Sequence, residues 1–396
     1  MSMMTPERKE VPPNPEAKQK RGGLEGIVAA TTAISRVDGK DGRLLYRGYN
    51  IHDLARTTSF EEVAHLLWLG KLPNQQELAK LKAQLATERK IPVTGMRVLR
   101  DLPLTSDPMD VLRTVISAWG AATIKGKPTL EQAIAITARF PLVIAAFHRL
   151  RNGLEPLESR LELGHAANYL YLLTGQIPTE QHVKALDAYL VLLADHGMNA
   201  STFSARVVAS TESDIASAIV AAVGALKGPL HGGAPSKVLD MLQAIGTAEK
   251  AEGWLRDAVA RGDRLIGFGH RVYKTYDPRA EELRDLARLA DPKQFVLSNR
   301  VEKVALALLE EQKPGRRLYT NVEFYSAALL SYVGLPGDLF TPAFAMSRVA
   351  GWTAHILEQI GDNRLIRPDA EYIGPTEAKF VPLNERSQTS HNGHPL

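Results

Sequence analysis

The sequence predicts a mainly helical fold of two domains, on three observations. Apolar residues recur at helical spacing along most of the chain, strand signals are confined to one short stretch, and two proline- and glycine-rich breaks bracket about a hundred residues. The breaks are "KGPLHGGAPSK" at 227–237 and "GLPGDLFTP" at 334–342. The segment between them, residues 229–334, reads as a small helical domain inserted into a large one made of 24–228 and 335–380. Residues 1–23 read as a disordered N-terminal tail and 381–396 as a C-terminal tail. A chain of 396 residues exceeds the ~100–200 residues of an ordinary domain, so two are expected.

Each element has its own signal. "TTAISRVDGKDGRLLYRGY" places β-prone residues on both sides of an Asp38-Gly39 turn, the one hairpin candidate. "SFEEVAHLLWLG" has Ser59 as a cap, Glu62 three residues later, and Val63, Leu66 and Leu67 on one face. Gly70 and Pro73 stop it. "TEQHVKALDAYLVLLADHG" repeats the design, with Val183, Leu186, Tyr189, Leu190 and Leu193 in one stripe. "TPAFAMSRVAGWTAHILEQIG" reads as a helix capped by Thr341 with Pro342 at its first position.

Composition narrows the function. Hydrophobic residues make up 44% and charged residues 23%, ordinary values for a globular enzyme. No uncharged apolar run reaches the ~18 residues of a membrane span, and the longest, Ile215 to Leu226, reads as a buried helix. The polar opening stretch lacks the apolar core of a signal peptide, and a cytoplasmic location is expected. With no cysteine there is no disulfide, thiolate metal site or cysteine nucleophile. A net charge of +4 is too mild to point to nucleic acid; cations gathered on a small anion account for it equally well.

Four stretches carry chemistry. In "KGPLHGGAPSKVLDML", His231 sits between two helices, where free N–H groups of a first turn attract anions. A capping histidine is the plain alternative. In "IGFGHRVYKTYDPRA", His270 stands on a Gly267–Gly269 turn with Arg271, Lys274 and Arg279 close behind. "DHGMNASTFSARV" sets His196 before Asn199, Ser201 and Thr202, which equally spell a helix cap. In "YTNVEFYSAALL", Asn321 opens a helix whose first turn holds Glu323 ahead of an apolar run. That is either a base with a tuned pKa or a carboxylate favoured by the helix dipole. No two of these histidines have the i, i+4 spacing of a helical metal site, which argues against zinc.

Together these stretches resemble the citrate synthase family. So do "LEGIVAATTAIS", "YRGYNIHDLA", "GLPGDLFTPAFAMSRVAGWTAHILEQI" and "NRLIRP", in order over about residues 24–380. The resemblance implies an almost all-helical homodimer whose interdomain cleft closes on oxaloacetate. The implied reaction joins acetyl-CoA to oxaloacetate in a Claisen-type condensation, then hydrolyses citryl-CoA to citrate and CoA. No metal or tightly bound cofactor takes part. It implies Glu323 as the base, His231 as the enolate partner and His270 as the group that polarises the keto carbonyl. His196, Arg279, Arg348 and Arg367 are the implied oxaloacetate ligands, the last reaching across to the partner subunit. The backbone of Ile266, Gly267, Phe268 and Gly269, with Arg271 and Lys274, is the implied CoA site, and Lys313, Arg316 and Arg317 are further phosphate candidates. Two departures stand out: Glu323 where the family usually has aspartate, and Asp107 where it commonly has histidine. 2-Methylcitrate synthase, which uses propionyl-CoA, and a ligand sensor without turnover are the competing functions.

Overall fold

The computed structural model describes residues 23–386, except Glu25, Arg271, Lys313, Arg317 and Lys379. Most of the expected N-terminal tail and the last ten residues therefore lie outside the described residues. Contacts gather the chain through Ile366 into one compact unit and Arg367 onward into another.

The hairpin forms, with more to it than a short turn. β1 (Ser35–Asp38) pairs antiparallel with β2 (Arg43–Tyr46), which pairs with β3 (Tyr49–Asn50). Because Asp38 pairs with Arg43, the loop spans residues 39–42. The Asp38 carboxylate stabilises it by accepting from the Lys40 and Asp41 N–H groups, each at 3.1 Å.

The helices follow in chain order. Those before the first break are α1 (Ile51–Thr57), α2 (Phe60–Leu69), α3 (Gln75–Glu88), α4 (Val93–Asp101), α5 (Pro108–Thr123), α6 (Leu130–Arg151), α7 (His165–Thr174), α8 (Glu180–Leu193), α9 (Ala200–Ser210) and α10 (Ile215–Lys227). Between the breaks lie α11 (Ala234–Ile245), α12 (Ala251–Ala260), α13 (Pro278–Ala290), α14 (Pro292–Gln312) and α15 (Val322–Tyr332). The last is α16 (Phe340–Gly361).

Local chemistry sets many of the ends. Ser59 and Glu62 form the reciprocal capping box the sequence spells, and Gly70 closes α2 in the left-handed conformation. Asp107 caps α5 by accepting from the Met109 N–H at 2.7 Å, a structural task that needs no catalysis. α16 departs from expectation. It starts two residues earlier, at Phe340, continuing from a 3₁₀ turn at Gly337–Leu339, so Thr341 is not its cap. Thr341 instead donates to the Gly232 carbonyl at 3.1 Å, fastening the turn that carries His231. Pro342 is tolerated because first-turn N–H groups have no intrahelical acceptor.

α16 is buried along most of its length and packs against α2, α6, α8, α9 and α10. α10 lies against α5 and α9. Between the breaks, α12 and α13 pack on α14, and α11 and α13 on α15. α6 is long and apolar enough to cross a membrane, although it carries charges, and 72% of its most apolar window is buried against the rest of the protein. It is a core helix here.

A polar cluster joining α2, α7 and α8 is expected to make stability depend on pH. Asp187 of α8 accepts from the Phe60 N–H at 3.1 Å, while Glu61 accepts from the His165 N–H at 2.9 Å. Burial, reinforced by the Glu61 carboxylate, raises the Asp187 pKa above the ordinary range. The folded state therefore holds this proton more tightly than the unfolded chain. The stabilisation is complete below the unfolded pKa and is lost as pH rises through the folded one. Asp187→Asn keeps the acceptor and removes the charge. Its melting temperature is expected to exceed the parent's by a few degrees at pH ~8 and to converge with it toward pH ~4. A pH-independent difference in thermal melts would contradict this.

Candidate active site

A cavity of about 1030 Å³ gathers the four chemical stretches. His196, His231, His270, Arg279, Glu323 and Arg348 all line it, with Ile266, Gly267, Phe268 and Gly269. Residues as far apart in the chain as His196 and Arg348 thus line one cavity.

The His270 turn is built by long-range pairing. Gly267 and Gly269 both have positive φ, at 95° and 83°. A Cβ on Gly267 would come within 2.8 Å of the Phe324 ring, so the position has room only for glycine. Phe268 bridges Thr320 antiparallel. The Asn321 N–H donates to the Gly267 carbonyl at 3.0 Å, the Gly269 N–H to the Tyr319 carbonyl at 2.7 Å, and the Asn321 side-chain amide to the Gly269 carbonyl at 3.0 Å. The turn that presents His270 is therefore tied to the start of the helix that presents Glu323. The hairpin supports the other side: Lys274 N–H donates to the Gly39 carbonyl at 2.8 Å.

Each imidazole is held neutral and oriented. His270 Nδ1 accepts from the Val272 and Tyr273 N–H groups at 2.9 and 3.0 Å. Its proton therefore sits on Nε2. Burial, with Arg279 adding to it, lowers its pKa to about 4. His231 Nε2 lies 3.4 Å from the Ser201 N–H, which donates to it, and 2.8 Å from Ser201 Oγ. That leaves the His231 proton on Nδ1. Burial, then Arg348, lowers this pKa to about 4 as well. His196 Nε2 is 3.1 Å from the Tyr273 hydroxyl, and burial, then Arg279 and His270, lowers its pKa well below the usual value. The reading of Asn199 as a cap also holds: its side chain accepts from Ser201 N–H and Thr202 N–H. One loop therefore caps α9 and brings His196 to the cavity.

The charged groups differ in how they are satisfied. Arg279 is buried and pairs with Asp277 through Nε at 3.1 Å and Nη2 at 2.8 Å. Burial works against its charge and Asp277 more than offsets it, so its pKa is raised. Arg348 donates through Nε to the Leu193 carbonyl at 2.7 Å and lies 4.8 Å over the Phe344 ring, but its buried Nη2 has no partner. Burial lowers its pKa to about 10, with Asp195 opposing, so it remains a cation at neutral pH. Glu323 occupies the first turn of α15, as expected, and its Oε2 is shut from solvent without a hydrogen bond. Burial raises its pKa against the pull of Arg279. A buried orphan donor and a buried orphan acceptor on one cavity wall are what a site awaiting a polar ligand presents.

Lys274 lines a second cavity of about 380 Å³ that shares His270 with the first and also holds Arg316. Arg271, Lys313 and Arg317 lie outside the described residues. Arg367 belongs to the second unit, where its guanidinium is exposed and 3.8 Å from Asp369. Among the described residues no group of three or more metal-ligating side chains is poised to hold an ion. Sequence reasoning passed over Asp277, Tyr273 and the supporting use of Ser201. Asp277 was the most accessible of these, since the "DPR" spacing puts a cap carboxylate two residues from Arg279.

Comparison with known proteins decides the family. The family model described as citrate synthase, C-terminal domain, matches residues 23–369. The chain belongs to the citrate synthase family. Citrate synthase 2 of Bacillus subtilis is 45% identical over 376 residues, covering 92% of this chain and 99% of that one. The crystal structure of citrate synthase from Thermotoga maritima superposes with a TM-score of 0.82 at 39% identity, over 92% of this chain and 99% of that one. A ternary complex of the Thermoplasma acidophilum citrate synthase with carboxymethyl coenzyme A and oxaloacetate superposes with a TM-score of 0.85 at 33% identity, over 92% and 98%. The mainly helical, two-domain fold and the Claisen-type acyl transfer are those of this family.

Proposed function

We propose that this citrate synthase family member uses acetyl-CoA and oxaloacetate, through the cavity residues named above. Glu323 removes a proton from the acetyl methyl group. The Nδ1–H of His231 holds the enolate oxygen, and the Nε2–H of His270 polarises the keto carbonyl. The enolate carbon attacks the keto carbon, and the keto oxygen takes the His270 Nε2 proton and becomes the citryl hydroxyl; the methyl proton held by Glu323 makes good the one His270 gives up, so no net proton is gained or lost. Water then cleaves the thioester to release citrate and CoA. His196, Arg279 and Arg348 hold the dicarboxylate, together with Arg367 of the partner subunit in a cytoplasmic homodimer. Planar guanidinium forks suit two carboxylates. CoA lies along the backbone of Ile266 to Gly269, with Arg271, Lys274 and Lys313 toward its phosphates. The observation that carries the reading is the unpartnered Arg348 Nη2 and Glu323 Oε2 on one buried wall. Residues 229–334 act as a small domain that closes on the large one, 24–228 with 335–380.

Two measurements test this. Release of free CoA thiol should depend on oxaloacetate and be faster with acetyl-CoA than with propionyl-CoA. The reverse order would make the chain a 2-methylcitrate synthase, and no release with either would make it a sensor. Calorimetry should show acetyl-CoA binding at least about tenfold more tightly once oxaloacetate is present, since closure then completes its site. Equal affinity would remove the closure argument.

A further inference from the structure

Behind the cavity, and not lining it, one carboxylate touches three of the segments the site depends on. Glu302 of α14 is buried. Its Oε1 accepts from the Tyr276 hydroxyl at 2.5 Å and the Thr320 hydroxyl at 2.6 Å. Its Oε2 accepts from the Tyr325 hydroxyl at 2.7 Å and stands 3.4 Å from Arg284 Nε. Tyr276 adjoins Asp277, which grips Arg279. Thr320 forms the bridge to Phe268, two residues before His270. Tyr325 follows Glu323 by two residues on α15.

We propose that Glu302 is a positioning residue for the condensation: its carboxylate fixes the start of α13 that carries Arg279, the bridge behind His270 and the Glu323 helix in one frame. The proposal rests on the roles given above to Glu323 and Arg279. A buried carboxylate is costly unless its lone pairs are filled, and three hydroxyl donors plus a guanidinium fill these. Bonds to an ionised acceptor are short and directional, so they transmit position better than apolar packing does. Burial and the Glu302 charge push the Tyr276 hydroxyl up to about 12, and both also raise Tyr325, which keeps these donors protonated. An apolar side chain at 302 would leave three hydroxyls without this acceptor and the three segments without a shared anchor.

The struts should be separable by what they carry. Tyr276→Phe loosens the start of α13 that carries Arg279 and is expected to raise the KM for oxaloacetate about tenfold with little change in kcat. Tyr325→Phe loosens the Glu323 helix and is expected to lower kcat about tenfold with little change in that KM. Glu302→Gln should do both, and adding Tyr325→Phe to it should cost little more, because the strut has already gone. The assays belong well below the melting temperature, on protein shown to be folded by circular dichroism. Parental kcat and KM in folded Glu302→Gln would overturn the proposal. If that variant fails to fold, the two tyrosine variants decide: the KM-against-kcat split supports the frame, and parental values in both overturn it. A parallel Glu323→Gln assay separates the causes, because full activity there faults the base assignment and not the frame.

Discussion

Glu323→Gln is expected to lower kcat by about three orders of magnitude, within the range a positioned general base contributes, while oxaloacetate still binds. The amide matches the carboxylate in shape and cannot accept the methyl proton. Arg279, Arg348 and the histidines keep their places, so the loss should fall on kcat. The raised pKa of Glu323 adds a pH signature. Its working form is the carboxylate, so activity is present above that pKa and lost as pH falls through it. The acid limb should lie above the ordinary carboxylate range. Glu323→Asp draws the carboxylate back by one methylene toward the family's usual residue and should retain appreciable activity. A glutamine variant that turns over like the parent would remove Glu323 from the mechanism.

The second large effect concerns Arg367. Arg367→Ala and His270→Ala are each expected to be nearly inactive as homodimers. Reassembled together in equal amounts, they should recover about a quarter of the parental activity. Half of the dimers are then mixed, and in each of those one cleft carries both lesions and the other neither. Recovery occurs only if Arg367 serves the neighbouring cleft, where a carboxylate would otherwise lose a charge-assisted pair. No recovery in a preparation shown to contain mixed dimers would mean that Arg367 serves its own chain or no site.

What the sequence made legible was local. The capping box at Ser59 and Glu62, the end of α10 at Lys227, and the first-turn place of Glu323 each follow from a few neighbouring residues. The misses depend on contacts that no short window contains. Thr341 looks like a cap until Gly232, 109 residues earlier, offers its carbonyl. The hairpin's four-residue loop is fixed by Asp38 carboxylate bonds and by the approach of residues 272–276. The motif histidines could be named from their glycine-flanked breaks, but their tautomers could not. Ser201 and the Val272 and Tyr273 N–H groups set those in space. Glu302 gave no signal, because a glutamate in an amphipathic helix reads as a solvated face until three hydroxyls converge on it.

Whether this cavity holds the reacting keto acid can be seen in a crystal structure of the protein with oxaloacetate. A carboxylate is expected on the now-unpartnered Arg348 Nη2, with the keto oxygen within hydrogen-bond reach of His270 Nε2. Oxaloacetate bound elsewhere, with Arg348 Nη2 still without a partner, would contradict it.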